Sequence, residues 1–176
     1  MIDREELFKA IKKTGLDPNQ KLEQILFGAL RNEAIDGRLY DVLNSRLATQ
    51  PPYTPESLSS ISQRFGVETT IAQEMETQAY QRLMRFISKL GHISDENVNI
   101  EDLPWTGGHI GNRAKKALIN YFKDAKPSSK DIYNLFLNVS LLGRKLCIRD
   151  FGYVSFNETS ETFRRIGYEL PIVELQ

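Results

Sequence analysis

The amino-acid sequence predicts an all-α protein. Apolar residues recur at steps of three and four positions along most of the chain, the spacing that gives a helix one buried face. Residues that favour helix starts and ends, namely Asp, Ser, Pro and Gly, stand at the edges of these segments. Three prolines within residues 51–55 and a loop-rich stretch at 91–112 interrupt the pattern. These breaks predict three parts, residues 1–50, 51–92 and 98–176, with the first two packed together.

The composition shows no overall basic signature. The 176 residues include 23 basic and 23 acidic side chains, so the formal net charge is zero. Residues 101–176 hold 11 basic and 9 acidic side chains, a surplus of two. This surplus weakly favours the last part of the chain as the one that faces a polyanion, although a solvated surface explains it equally simply.

Several kinds of site and location are not expected. The single cysteine, Cys147, excludes a disulfide within the chain, indicates a reducing cytoplasm and is expected to be a small buried residue. His92 and His109 lack the further Cys, His or carboxylate ligands that a metal site needs. No apolar run approaches the roughly 20 residues of a membrane span. The glycine-rich residues 106–111 are not followed by the Gly-Lys-Ser/Thr of a phosphate-binding loop, so we expect neither a cofactor nor a small-molecule substrate.

Three helices are predicted before residue 50, and their role is to build a core. The first covers residues 3–14 with Asp3 as its N-cap. The second begins at Asp17-Pro18, with proline at the first helical position, and the third begins after Asp36-Gly37.

A short helix at residues 56–65 and a long one at 69–90 are predicted to follow. The turn between them contains Gly66, and a short helix, a glycine turn and a longer helix form helix-turn-helix spacing. The long helix carries apolar residues along its length, beginning with Ile71 and Ala72.

This segment resembles the promoter-reading region of primary sigma factors. The residues that carry the resemblance are Leu58-Ser-Ser-Ile-Ser-Gln-Arg-Phe-Gly-Val67, Gln73-Glu-Met-Glu76 and Ala79-Tyr-Gln-Arg-Leu83. The resemblance implies DNA contacts from the start of the long helix, at Thr69, Thr70 and Gln73. Sigma factors carry arginines there, and arginine serves both base readout and phosphate contact. Their absence favours packing or protein contact, and the simplest alternative is a helical pair within a core.

Basic residues gather in the next predicted helix, which covers residues 112–122 and turns Tyr121 inward. Arg113, Lys115 and Lys116 are expected in its first turn, where positive charge opposes the helix dipole. A bound phosphate would relieve that conflict. The plainer alternative is that these are ordinary solvated side chains.

A second candidate anion site follows Gly152, which is expected to form a turn with positive φ. Ser155 and Glu158 have the spacing of a capping box, so a helix N-terminus with N–H groups that attract phosphate is expected here. A further helix is predicted at residues 130–138. The tail, residues 168–175, is expected to lie as an extended apolar strap over the last helix.

The last stretch resembles the C-terminal domain of the bacterial RNA polymerase alpha subunit. Ile148-Arg-Asp-Phe-Gly152, Ser155, Glu158 and Gly167-Tyr-Glu-Leu170 carry the resemblance. It implies a compact four-helix domain of helix-hairpin-helix type over residues 98–176, which binds the DNA minor groove and touches other transcription proteins. In that pattern Arg113 stands for the main minor-groove arginine and Lys116 for an asparagine. Val154 replaces a lysine that contacts phosphate, so affinity is either weakened or shifted onto Lys115, Lys116 and Arg149.

Together the two resemblances predict a non-enzymatic DNA-binding transcription protein of bacterial or phage type. Its candidate DNA contacts are Arg113, Lys115, Lys116, Arg149, Gly152, Ser155 and Glu158. The middle part is expected to contact RNA polymerase or another transcription protein. The alternative is an adaptor or inhibitor that reuses both folds without binding DNA. Catalysis is not expected, because no acidic cluster converges as a nuclease site requires.

Overall fold

A computed structural model describes residues 2–49, 54–123 and 125–176. The fold is all-α, as the apolar spacing predicted. The chain divides into two compact units, one that ends at Lys89 and one that begins at Leu90. The proline-rich stretch lies partly outside the described residues. In the described part of the chain, no helix has the length and apolar character that crossing a membrane requires.

The first unit contains five helices in its described residues: α1 (Arg4–Lys13), α2 (Pro18–Arg31), α3 (Gly37–Leu47), α4 (Leu58–Phe65) and α5 (Thr69–Lys89). The predicted N-cap of α1 is confirmed, and α2 has Pro18 as its first residue, as predicted. The Asp3 carboxylate accepts from the Glu6 N–H, and Asp17 and Asp36 cap α2 and α3 in the same way. Each bond satisfies a backbone donor that has no partner within its own helix.

Helix α5 is the centre of the first unit, because it packs against α1, α2, α3 and α4. The side chain of Ile71 does not belong to this packed surface, since it is 42% exposed. The buried row of α5 runs through Ala72, Ala79 and Leu83, and Ile71 lies about 100° away from Ala72 around the helix. The fully buried core of the unit comprises Leu7, Ile11, Ile25, Leu26, Ala29, Val42, Leu43, Ile61, Ala72, Ala79 and Leu83.

A buried ion pair joins α3 to α5. The Arg46 Nε lies 2.6 Å from Glu76 Oε1, and the Glu76 side chain is 1% exposed. A second nitrogen of the guanidinium, Nη1, donates to the Glu56 carbonyl oxygen at 2.6 Å. One arginine therefore holds α3, α5 and the segment that enters α4 together.

The second unit consists of α6 (His109–Tyr121), α7 (Ser129–Leu141) and α8 (Tyr153–Arg164), with strands β1 (Lys145–Leu146) and β2 (Glu174–Leu175). The strands pair in parallel, with Lys145 opposite Glu174 and Leu146 opposite Leu175. The end of the tail therefore pairs with the segment before α8. Its start packs on the last helix through Tyr168 and Phe163, as the predicted strap requires. An antiparallel bridge between His92 and Glu169 joins the first and last segments of the unit.

An aromatic core fills the second unit. Phe163 and Tyr168 pack edge to face with their ring centroids 5.6 Å apart, and Tyr133 contacts Tyr168 at 5.9 Å. Gly91 lets the chain approach this core closely, because a Cβ there would lie 1.9 Å from the Glu169 carbonyl oxygen. Two predictions of burial were wrong. Cys147 is exposed, and Tyr121, the last residue of α6, is 44% exposed.

Candidate nucleic-acid interface

The basic helix α6 begins three residues earlier than predicted. Gly108 is its N-cap, with φ 103° and ψ −163°, and the first helical residue is His109. Arg113, Lys115 and Lys116 therefore lie in the second turn rather than the first. The helix dipole acts mainly within the first turn, so the predicted conflict between these charges and the dipole is absent.

Five polar side chains of α6 lie along one face of the helix. At 100° per residue they fall within about 100° of arc. They line a groove of about 410 Å³, to which Asp150 contributes from the loop before α8. The five are His109, Asn112, Arg113, Lys116 and Asn120. This face, called the α6 groove below, combines two permanent cations with amide and imidazole groups, all of which can donate hydrogen bonds.

Arg113 is held at the edge of the groove by the backbone of Asp150. Its Nε lies 3.3 Å from the Asp150 carbonyl oxygen. Asp150 has φ 63°, in the left-handed region that Asp and Asn tolerate better than most residues. This bond uses one of the five guanidinium N–H donors, so the arginine is oriented and keeps donors for a ligand.

Lys115 does not lie in the α6 groove. It points about 200° away from Arg113 around the helix. Its ammonium forms an ion pair with Glu101, and the hydrogen bond from Lys115 holds the pKa of the Glu101 carboxyl below its usual value. Lys115 thus joins α6 to the segment before it, and the predicted shift of DNA affinity onto this residue has no geometric support.

Arg149 lies beside the groove and is almost fully solvated. Its side chain is 97% exposed, and its Nε is 3.8 Å from Asp150 Oδ2. An ion pair this exposed contributes little to stability. The structure therefore brings Arg113, Lys116 and Arg149 to one region and leaves Lys115 outside it.

The predicted capping box at the start of α8 is wrong. Gly152 is the N-cap, with φ −104° and ψ −168°, an extended conformation that other residues adopt without strain. Ser155 is the third residue of the helix and is 3% exposed. A Cβ on Gly152 would meet nothing within 4 Å. Neither a positive φ nor internal packing therefore accounts for the glycine.

Glu158 anchors the loop that precedes α6. Its Oε1 accepts hydrogen bonds from the Thr106 backbone N–H, at 2.8 Å, and from the Thr106 hydroxyl. Burial alone would raise the pKa of Glu158, but the bonds from Thr106 outweigh it and hold the pKa below 4.5. Arg165 fixes the same loop by donating to the Pro104 carbonyl oxygen at 2.8 Å. Glu158 is therefore a positioning residue in this fold and does not face the groove as a ligand.

We expect replacement of Glu158 by glutamine to reduce the acid sensitivity of the second unit. A folded-state pKa below 4.5 means that the carboxylate contributes stability above that pH and loses the contribution as pH falls through the folded value. The wild type should lose more stability than Glu158→Gln between neutral pH and about pH 3. Thermal unfolding followed by the fluorescence of Trp105, the only tryptophan, measures this difference.

The control is Glu161→Gln, because Glu161 lies on the same helix but pairs with Arg164 at the surface. This variant should keep the pH dependence of the wild type. Equal acid sensitivity of Glu158→Gln and the wild type would contradict the role of the Thr106 bonds.

The candidate contacts of the helix-turn-helix lie together on the exposed start of α5. Thr69, Thr70 and Gln73 fall within about 100° of arc, and all three are exposed. Gly66 ends α4 in the left-handed conformation, with φ 65°, as a turn of this kind requires. Residues 66–81 contain no lysine or arginine but include the exposed Glu68 and Glu74. Phosphate contact is therefore not favoured on this surface.

Sequence reasoning missed His109, Asn112 and Asn120 as groove residues. The signal was present, since their spacing to Arg113 and Lys116 is helical. The glycines at 107, 108 and 111 conceal this spacing, because a cluster of glycines is typical of a loop. Among the described residues, no cluster of His, Cys, Asp and Glu could hold a metal ion. Comparison of the chain with family models, curated proteins and solved structures gives no match.

Proposed function

We propose that the protein binds DNA through the α6 groove and acts as a non-enzymatic transcription protein in the cytoplasm. The observation that carries this proposal is the single polar face of α6 on which Arg113 and Lys116 converge. Arginine and lysine neutralise phosphates, and an arginine that enters a narrow minor groove responds to its shape. Arg149 adds a third cation beside this face.

The number of cations on this surface sets the expected salt dependence. Three phosphate contacts give a slope of log affinity against log salt of about −3. Affinity should therefore fall about a thousandfold for a tenfold rise in salt. A fall this steep is measurable even when binding is weak, because it can be followed from low salt upwards.

Fluorescence anisotropy of a labelled A·T-rich duplex tests the proposal. Arg113→Ala should weaken binding of the full chain about tenfold or more and should make the salt slope shallower by about one. Lys115→Ala is the matched control, because it removes the same charge from the opposite face of the same helix, where Lys115 pairs with Glu101. An equal loss of DNA affinity in both variants would indicate a general charge effect and would contradict DNA binding through the α6 groove.

The start of α5 supports a protein contact as the second part of the function. Its exposed face carries Ile71 among polar and acidic residues and lacks basic side chains. We infer that it contacts RNA polymerase or another transcription protein, with DNA held by the second unit. If the protein binds no duplex DNA at low salt, the alternative function is favoured. The protein would then act as an adaptor or inhibitor that binds its partner through the start of α5. Co-purification with polymerase subunits, lost in an Ile71→Glu variant, tests that alternative.

A further inference from the structure

Two adjacent apolar side chains are strongly exposed on the first turn of α8. Tyr153 is 70% exposed and Val154 is 62% exposed. They follow Gly152, whose missing side chain leaves the start of the helix open. Exposure of two consecutive large apolar residues is unfavourable in water, so their presence indicates contact with something outside the unit.

The pair lies next to the α6 groove. Tyr153 follows Asp150 by three residues, so their Cα atoms are at most about 11 Å apart. Asp150 lines the groove and holds Arg113 by its carbonyl oxygen. Both cations, Arg113 and Arg149, contact Asp150, and the apolar pair begins three residues after it. We therefore expect a ligand of the groove to reach the pair.

The charge beside the apolar pair distinguishes between classes of ligand. Arg113, Lys116 and Arg149 lie in this region and favour a polyanion, whereas the start of α5 carries no basic side chain. With Ile110 at 49% exposure, three large apolar side chains are exposed at the starts of α6 and α8. A wedge in DNA needs only one or two side chains, since it enters a single base step.

Building on the proposed function, we propose that Tyr153 and Val154 form an apolar wedge that opens one base step in the minor groove and bends the duplex. Tyr153 supplies a flat ring that stacks on an exposed base, and Val154 fills the space beside it. A distance of about 11 Å corresponds to about three base steps of 3.4 Å. Because Arg113 is bonded to Asp150, the kink should lie near the base pairs that Arg113 contacts.

A wedge of this kind should make the protein prefer DNA sequences that are easily deformed. Pyrimidine–purine steps such as TA unstack most easily, so a wedge prefers them without forming a hydrogen bond to any base. The site should therefore combine an A·T-rich tract for the arginine with a TA step nearby.

The test uses an A·T-rich duplex of about 25 base pairs with a dye at each end and 2-aminopurine at a TA step. Binding of the full wild-type chain should raise energy transfer, as a kink of 20–90° shortens the end-to-end distance, and should raise 2-aminopurine fluorescence. The Tyr153→Ser/Val154→Ser variant should bind about tenfold more weakly and lose both signals. Ile172→Ser is the control, because Ile172 is equally exposed, at 65%, in the tail.

Each outcome decides between the two proposals. Binding and bending that survive in the Tyr153/Val154 double variant would overturn the wedge and leave a protein contact as the role of the pair. If the wild type binds the duplex without bending it, the wedge proposal is overturned and the proposal of DNA binding through the α6 groove is retained. Absence of binding by the wild type would overturn both. Circular dichroism of each variant separates loss of contact from loss of folding.

Discussion

Replacement of Arg46 by alanine is expected to destabilise the first unit by about 3 kcal/mol. The substitution takes the cation away from the Glu76 carboxylate, which is 1% exposed. Loss of one partner of a buried pair is strongly destabilising, because the remaining charge keeps its desolvation penalty. The bond from Arg46 to the Glu56 carbonyl is lost as well. Urea unfolding of the full chain, followed by far-ultraviolet circular dichroism, measures the change.

A companion variant separates the ion pair from the packing around it. Arg46→Met combined with Glu76→Leu replaces both charges by apolar groups of similar size, an exchange that is often neutral or stabilising. The double variant should therefore recover most of the lost stability. A loss below about 1 kcal/mol in Arg46→Ala would mean that the pair behaves like a surface salt bridge and does not hold α3 to α5.

The second large effect is expected from Gly111→Ala, which should destabilise the second unit by about 2 kcal/mol. Two effects oppose each other at this position. Alanine is favoured over glycine inside a helix by about 1 kcal/mol. A Cβ on Gly111, however, would lie 2.2 Å from the Thr106 carbonyl oxygen, which is a backbone atom. Because Glu158 and Arg165 fix that loop, it cannot move aside, and the clash prevails.

The fluorescence of Trp105 measures this effect directly, because Trp105 adjoins Thr106 in the clashing loop. Gly107→Ala is the control, since its Cβ would meet nothing within 4 Å, and its stability should stay within about 0.5 kcal/mol of the wild type. In a Glu158→Ala background the loop is released, so Gly111→Ala should destabilise less. A stabilising Gly111→Ala would show that the loop moves freely.

Local signals in the sequence were enough to predict most of the helices. The caps at Asp3, Asp17 and Asp36 act within three residues, so they are readable without tertiary information. Gly111 shows where this reasoning fails. Glycine disfavours a helix, yet here it is helical because the Thr106 carbonyl leaves no room for a side chain. The start of α6 was therefore predicted too late.

The candidate site was predictable only where local helical spacing determines it. Helical spacing alone puts Arg113 and Lys116 on one face and Lys115 on the other. The role of Glu158 was not predictable, because a capping box and a bond to Thr106 suit the same glutamate equally well. Thr106 lies 52 residues away along the chain, and only tertiary structure decides between the two.

The bridge between His92 and Glu169 has a consequence for synthesis of the protein. These residues are 77 positions apart, and β2 follows Glu169. The second unit therefore cannot close until β2 (Glu174–Leu175) has left the ribosome, whereas the contacts within the first unit involve only residues up to Lys89. Domains fold in the order of their synthesis, and contacts that span a long loop form slowly. The first unit should thus fold while the apolar residues of the second are still unburied. The chain is therefore most prone to aggregate between the folding of the first unit and the closure of the second.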